Sequence, residues 1–547
     1  MFYKNMIDML CELQSQINKH LADSDINSAC HTLSKFVENI VLDQRATGRV
    51  FGALELDHLC QSIWNKFNSL YSFGLNQGSV QENLSVYLAT ELYTTGGHTA
   101  VIEDLIKFQP DREHVILLTD CFNHGNKQDV LERFNPYSVH LIHAPVGDYL
   151  QKAVFIKDQL SSFRPSEVFL FNHYHDPVSM CVAYGHRTYR LYYYHHCDHN
   201  CALGLYLDDV VHIDPHPFGY FNCQNLNLKN VTYLPLTVTA PPEVSKRKFL
   251  QHGYLITCSS GNLGKFTYPY AFSYLDEIPK ILRVTHGKHI HIGHLTDELL
   301  SKIYTSLSSN SINSDKFVYI PWVKSLAQAM IDNAVDLYIS SFPIGGGKAT
   351  VEVMASGTPI INHLSYKTAL FSGGGIVYPE ALTWRYPENL YHCLESVTVE
   401  ILQEQSELAR YHYLKYNSPE VFIQTLMNLR QGNLVSAPMD LCNDYIIRDD
   451  LRVFLDELQI SLQQLQPFLY QLEVTKKELE RSSQQILELK KELEGSSQQI
   501  LELKKELEGS SQQLYATQQE LALMKQSKFW KLRNLWFKIK EKLRLSG

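Results

Sequence analysis

The sequence predicts an α/β protein built from two parallel-sheet domains, with a helical segment ahead of them and a coiled coil behind. Three observations carry that prediction. Short apolar strand signals alternate with helical stretches in two separate sets, a turn rich in Pro and charge lies between the sets, and a sustained heptad follows the second. At 547 residues the chain is too long for one core. Hydrophobic residues at 44% and charged residues at 20% are ordinary for globular domains, and a net charge of −9 gives no support for a nucleic-acid partner.

Residues 1–80 carry helical periodicity, as in "MIDMLCELQSQINKHL" and "ACHTLSKFVENIVL", and few strand signals. Residues 81–240 alternate strands with helices, the strand signals being "LSVYLATELY", "HVILLTD", "VHLIHA", "EVFLFNH", "YRLYYYHH" and "DVVHID". The turn "TAPPEVSKRK" (239–248) reads as an interdomain linker. Residues 250–440 repeat the alternation with "GYLITCSS", "KHIHIGHL", "KFVYIPW", "VDLYISS" and "TPIINHL". Such alternation implies parallel sheets, and two of them leave a cleft where ligands bind beyond the strands' carboxyl ends.

One stretch at such an end is built to hold an anion. In "SFPIGGGKATVEVMASGTPI" (341–360), Gly345–Gly346–Gly347 follows a buried strand, "VDLYIS" (335–340), and precedes a helix over 349–356. Three consecutive glycines are costly in a regular element but let backbone N–H groups approach a ligand, and a helix N-terminus adds its free N–H groups and dipole. A nucleotide P-loop is excluded, because Phe342 stands where its first Gly is required and Ala349 where its hydroxyl is.

Behind the second domain, residues 448–527 read as a coiled coil. Leu or Ile recurs at every seventh residue from Leu451 to Leu521, and "SSQQILELKKELEG" occurs in tandem at 482–495 and 496–509. Ser496 and Ser510 take alternate d positions and weaken the seam, and Pro467 is expected to interrupt the helix. A homodimer is the expected assembly, with an intramolecular solenoid-like helix or a hetero-partner as alternatives. The tail 528–547 places Phe529, Trp530, Leu532, Leu535, Trp536, Ile539 and Leu543 largely on one stripe with Lys and Arg between them. That pattern suits an anionic membrane surface, docking on the protein itself being the alternative. Eleven Cys without paired spacing, and a start ("MFYKNMIDMLCELQSQ") with no basic segment and apolar core, point to the cytoplasm, including the inner face of its membrane.

The second α/β unit resembles glycosyltransferases of the two-Rossmann (GT-B) type. Within that type it is most similar to the UDP-GlcNAc protein O-transferases and the bacterial adhesin glucosyltransferases, over residues 250–365. The first unit matches in architecture, and the tail "SKFWKLRNLWFKIK" behind a coiled coil looks like that of bacterial, particularly cyanobacterial, glycosyltransferases. The resemblance implies two Rossmann-like domains, an acceptor domain over 81–240 and a donor domain over 250–440. It implies that Lys265 in "CSSGNLGKFTYP" contacts a nucleotide diphosphate, above a turn shaped by Ser259, Ser260 and Gly261. In "YIPWVKSL" it puts Val323 at a backbone contact to the base, where Trp322 either stacks or is a core residue. Gly347, Lys348 and Ala349 fall where the O-transferases carry a phosphate-binding His-Thr-Thr run, leaving the 345–350 loop, through Thr350, to act by backbone N–H groups and the Lys348 ammonium. Glu352 matches the acidic residue that accepts from the ribose hydroxyls. Ile344 stands where many retaining enzymes carry a second Glu, which favours inversion.

In the first unit, "LYTTGGHTAVIEDLIK" (92–107) sets Gly96, Gly97 and His98 at a strand end and helix start, with His98 either a general base at the cleft or a helix cap. The run "YYYHHCDHNCALG" (192–204) invites a zinc reading, but six adjacent ligand types cannot all converge. His196, Asp198 and His199 are therefore expected to line the cleft, with His173 and His175 of "NHYHDP" as weaker counterparts, and no metal or cofactor is expected. The expected activity is transfer of a hexose or N-acetylhexosamine from a UDP-sugar to a protein, lipid-linked or polysaccharide acceptor. A non-catalytic sugar-nucleotide-binding scaffold is the alternative.

Overall fold

A computed structural model describes the chain apart from residues 1, 44–45, 72–77, 95–96, 126–127, 243, 245–246, 366, 439–450 and 545–547. It divides into two units, residues 1–457 and 458–547.

Three helices open the first unit: α1 (Phe2–Ala22), α2 (Ile26–Leu42) and α3 (Leu54–Leu70). On α2 the apolar positions Ile26, Ala29, Cys30, Leu33, Val37 and Ile40 recur at helical spacing and are all buried. Asp25 caps it, its carboxylate accepting from Ser28 N at 3.0 Å. These helices are joined to the sheet that follows. Trp64 Nε1 donates to Pro177 O at 2.9 Å, and Asp57 accepts from the backbone N–H groups of Gly204 and Tyr206 at 2.7 and 2.8 Å.

That sheet has seven strands: β1 (Gln81–Ala89), β2 (Glu113–Leu118), β3 (Val139–His143), β4 (Pro165–Phe171), β5 (Arg190–Tyr194), β6 (Val211–Asp214) and β7 (Val231–Tyr233). Their order is 3-2-1-4-5-6-7, all parallel. Helices α4 (Gly97–Lys107), α5 (Gln128–Phe134), α6 (Tyr149–Phe163) and α7 (Pro217–Asn225) lie between strands. β1 is buried on both faces from Leu84 to Ala89, as a doubly covered parallel strand must be.

The second sheet has six: β8 (Ile256–Ser260), β9 (Lys288–Ile292), β10 (Phe317–Ile320), β11 (Leu337–Ile339), β12 (Ile360–His363) and β13 (Leu382–Trp384). Their order is 10-9-8-11-12-13, again parallel. Its helices are α8 (Leu263–Thr267), α9 (Tyr274–Thr285), α10 (Asp297–Ser309), α11 (Leu326–Asp332), α12 (Lys348–Ala355) and α13 (Pro387–Ser396). Each order reverses once, beside β1 and beside β8, and ligand crevices form at those reversals. The chain thus has the two Rossmann-like α/β domains of the GT-B architecture.

After α14 (Val399–Tyr416) and α15 (Pro419–Arg430) the chain returns to the first sheet. Arg430 Nε donates to Glu167 of β4 at 3.0 Å, and Tyr233 N of β7 donates to Val435 O at 2.8 Å. The first domain is therefore completed by residues far away in sequence.

The second unit takes in α16 (Leu451–Gln526) from residue 458 onward, and α17 (Lys528–Arg544). The expected break at Pro467 does not occur, and α16 runs through it. A proline removes only its own N–H bond and one carbonyl's room, and the strong helix formers on either side hold the remaining turns. The heptad positions from Leu472 to Leu521 are 47% to 68% exposed. Among the described residues, no helix is long and apolar enough to cross a membrane.

Candidate functional site

The glycine loop between β11 and α12 is fixed by its own backbone. Gly345 N donates to Phe371 O at 2.7 Å, and the buried Thr350 hydroxyl donates to Gly346 O at 2.7 Å. Among the described residues, the N–H groups of Gly346, Gly347, Lys348 and Ala349 find no acceptor, so four donors gather at the start of α12. The glycines are required by close approach: a Cβ on Gly345 would lie 2.8 Å from Phe371 O, and one on Gly347 would lie 3.1 Å from His216 Nε2.

Lys265, on α8 just past the end of β8, reaches this loop. Its Nζ donates to Gly345 O at 2.9 Å. Burial pulls its ammonium down to about 8, although the charge of Asp198 acts in the opposite direction. The neighbouring hydroxyls turn inward instead. Ser259 Oγ donates to Ile339 O and Ser260 Oγ meets Tyr338 OH, each at 2.8 Å, so these serines tie β8 to β11 and offer no side chain to a ligand. Gly261 packs beneath Lys265, its added Cβ falling 3.1 Å from Lys265 Cδ.

The opposite wall comes from the first domain. His216, the residue capping α7, has Nδ1 3.1 Å from Asp198 Oδ2 and presents the other side of its ring to Gly347. It also touches Gly374, whose added Cβ would lie 2.9 Å from His216 Nδ1. Burial alone would raise the Asp198 carboxyl, but His216, His199 and His195 hold it below the ordinary range. His199 Nδ1 is 3.4 Å from Asp198 Oδ1, and its Nε2 meets Tyr174 OH at 2.8 Å. The His98 ring lies 4.9 Å from that of His196, and His98 Nε2 donates to Glu91 O at 3.0 Å. Burial pushes the His98 imidazole down to about 4, so it is neutral at pH 7. Burial, and then the charge of His98, push His196 well below its usual range.

At Lys348 the structure departs from the sequence expectation. The Lys348 ammonium does not face the loop's anion site: it pairs with Asp104 of α4 and donates to Ala100 O at 3.1 Å, linking the two domains. Glu352 Oε2 accepts from Leu326 N at 2.6 Å and Ala327 N at 3.2 Å, capping α11 and leaving Oε1 as its other acceptor. Trp322 is not a core residue but 56% exposed, while Val323 packs partly against the core. His173 and His175 gather around Phe122, with ring centroids 5.9 and 4.4 Å away. Gly97 has open space where a Cβ would be, and Gly96 lies outside the described residues. His216 was not singled out from sequence. Its signal is "DPHPFG", a histidine between two prolines where a strand gives way to a helix.

The histidine run of 192–204 also divides. His196, Asp198 and His199 stay with the cleft, whereas His195 turns to His212, Asp214 and Cys223, all four of them buried.

No protein-family model and no curated protein matches the chain. Among solved structures it is similar to a glycosyltransferase from Rickettsia africae, at 10% identity and a TM-score of 0.48 over 64% of this chain and 98% of that one. Anabaena HepE in complex with UDP and glucose gives 10% and 0.47 over 64% and 99%. A Thermobaculum terrenum O-GlcNAc transferase mutant gives 10% and 0.45 over 76% and 82%. At this distance the likeness is one of fold, and the two sheet orders carry the fold by themselves.

Proposed function

We propose that the protein is a glycosyltransferase that moves a hexose or N-acetylhexosamine from a UDP-sugar to a hydroxyl or amide of a protein, lipid-linked or polysaccharide acceptor. One observation supports this above the rest. A lysine ammonium, four backbone N–H groups with no acceptor among the described residues, and a histidine from the other domain surround one loop at the crevice of the second sheet. In this reading the diphosphate sits on Gly346 to Ala349, and Lys265 with the N–H groups stabilises the charge that develops as UDP departs, without a metal ion at the reacting phosphates. The base rests on the backbone at Val323, with Trp322 exposed beside it to stack, and the free oxygen of Glu352 accepts from the ribose. His98, neutral at pH 7, takes the acceptor's proton, and the acceptor displaces UDP directly with inversion. His196, Asp198 and His199 line the acceptor side, and His216 hydrogen-bonds a phosphoryl oxygen at Gly347. Two chains pair through the heptad seam, and α17 lies on an anionic membrane face.

Thermal unfolding of the full chain with a panel of nucleotide sugars tests the donor site. A ligand at a hundred times its dissociation constant adds about 2.7 kcal/mol. A UDP-sugar is expected to raise the midpoint in wild type and to leave Lys265→Ala unmoved. No shift from any nucleotide sugar would remove the donor-site reading. A shift without turnover to any acceptor, or to water, would favour the scaffold.

A further inference from the structure

Behind the cleft, four side chains that the transfer chemistry does not use converge for reasons the sheet makes plain. His212 and Asp214 are two residues apart on β6, so they share a face. β5 pairs with β6 with Tyr194 opposite Ile213, and His195 N donates to Ile213 O, which brings His195 beside Asp214. α7 then packs against this edge and delivers Cys223. None of the four is more than 2% exposed.

Their spacing is that of ligands around one ion. His195 Nδ1 is 2.9 Å from Asp214 Oδ1, and His212 Nε2 is 3.3 Å from Asp214 Oδ2. Cys223 Sγ is 3.5 Å from His195 Nδ1 and 3.6 Å from Asp214 Oδ1, and all four ligand atoms fall within 4.8 Å of one another. A tetrahedral zinc with bonds of about 2.0 Å to N or O and about 2.3 Å to S separates its ligand atoms by about 3.3 to 3.6 Å.

Hydrogen bonding within the cluster does not satisfy it. His212 Nε2 and Asp214 Oδ2 are buried without a hydrogen-bond partner despite their proximity, as is His195 Nε2 on the outer side of its ring. Asp214 is wholly buried, and a carboxylate at that depth is costly unless a cation or a full set of hydrogen bonds meets it. A divalent cation with one carboxylate, one thiolate and two neutral imidazoles sums to zero. The mixed N, O and S set suits zinc, and hard cations such as Mg²⁺ and Ca²⁺ take oxygen ligands instead.

We propose that His195, His212, Asp214 and Cys223 hold one structural zinc ion. Four protein ligands with no solvent access leave no position for water or substrate, so the ion ties β5, β6 and α7 together and takes no part in transfer. α7 begins directly after His216, and Asp198 follows β5 by a few residues, so the same tie holds the first-domain wall of the cleft. The site does not depend on what the cleft transfers.

The test uses the full chain, produced in zinc-supplemented medium and purified without chelator. Elemental analysis is expected to find one zinc per chain. Zinc-edge X-ray absorption on the wild type is expected to give one sulfur and three nitrogen or oxygen neighbours. Cys223→Ser and His212→Ala should each lose the zinc, while Cys11→Ser, which changes an exposed thiol, should keep it. Substoichiometric zinc in the wild type, a coordination shell with no sulfur or several, or full zinc retention in both cluster variants would each overturn the proposal. Should both cluster variants fail to fold, the wild-type coordination shell decides alone.

Discussion

At Lys265 and His98, burial sets how each can act. A cationic Lys265 is needed to hold a diphosphate, and its ammonium, pulled down to about 8, loses its proton as pH rises through that value. A base must be unprotonated, and His98, pushed down to about 4, stays unprotonated until pH falls that far. The dependence of kcat/KM on pH, which reports the free enzyme, is therefore expected to be a bell with limbs near 4 and 8. His98→Ala should lower kcat by about 10² to 10⁴, the usual range for a lost general base, and remove the acidic limb. An acidic limb that survives in His98→Ala would assign the base elsewhere. Lys265 was legible in sequence because it sits in a short motif at a strand end. His216 was not, because its importance comes from Gly347 and Gly374, more than a hundred residues later in the chain.

Helices α4 and α12 show how an element can change the role of its own residues. From sequence, Lys348 belongs to the anion loop, since it follows three glycines at a helix start. In the fold α4 lies across that start, and Asp104 takes the ammonium. Burial raises the Asp104 carboxyl and Lys348 counteracts it, so each depends on the other. Lys348→Met leaves Asp104 buried without its counter-charge and is expected to lower the unfolding free energy by about 3 kcal/mol. Adding Asp104→Asn should recover part of that loss, and urea unfolding of the two single variants and the double measures the coupling. Strict additivity would show that the pair does not act as one. The same Lys348→Met variant is expected to keep the UDP-sugar thermal shift that Lys265→Ala loses, which separates the domain link from the donor site.

Over the whole molecule, the heptad seam has no cover among the described residues of its own unit: Leu472, Leu479, Ile486, Leu493, Ile500, Leu507 and Leu514 are all more than half exposed. A chain of 63.0 kDa is expected to sediment as a dimer, and Leu493→Asp with Ile500→Asp should return it to one chain without changing the melting of residues 1–438. A wild-type chain that sediments as a monomer at micromolar concentration would refute the pairing. By itself the sequence determined the two parallel sheets, the glycine loop at a strand end and the heptad. Strand alternation, Gly runs and seven-residue spacing are local patterns whose physical meaning travels with the chain. Only the tertiary structure decided that Ser259 and Ser260 brace strands, that Glu352 caps α11, and that Arg430 closes the first domain. It likewise drew His195 out of its run towards His212, Asp214 and Cys223. Those outcomes depend on which buried polar group lies within hydrogen-bonding distance of which other. Burial compels each such group to find a partner, and the partner is supplied by packing between elements that the sequence does not list side by side.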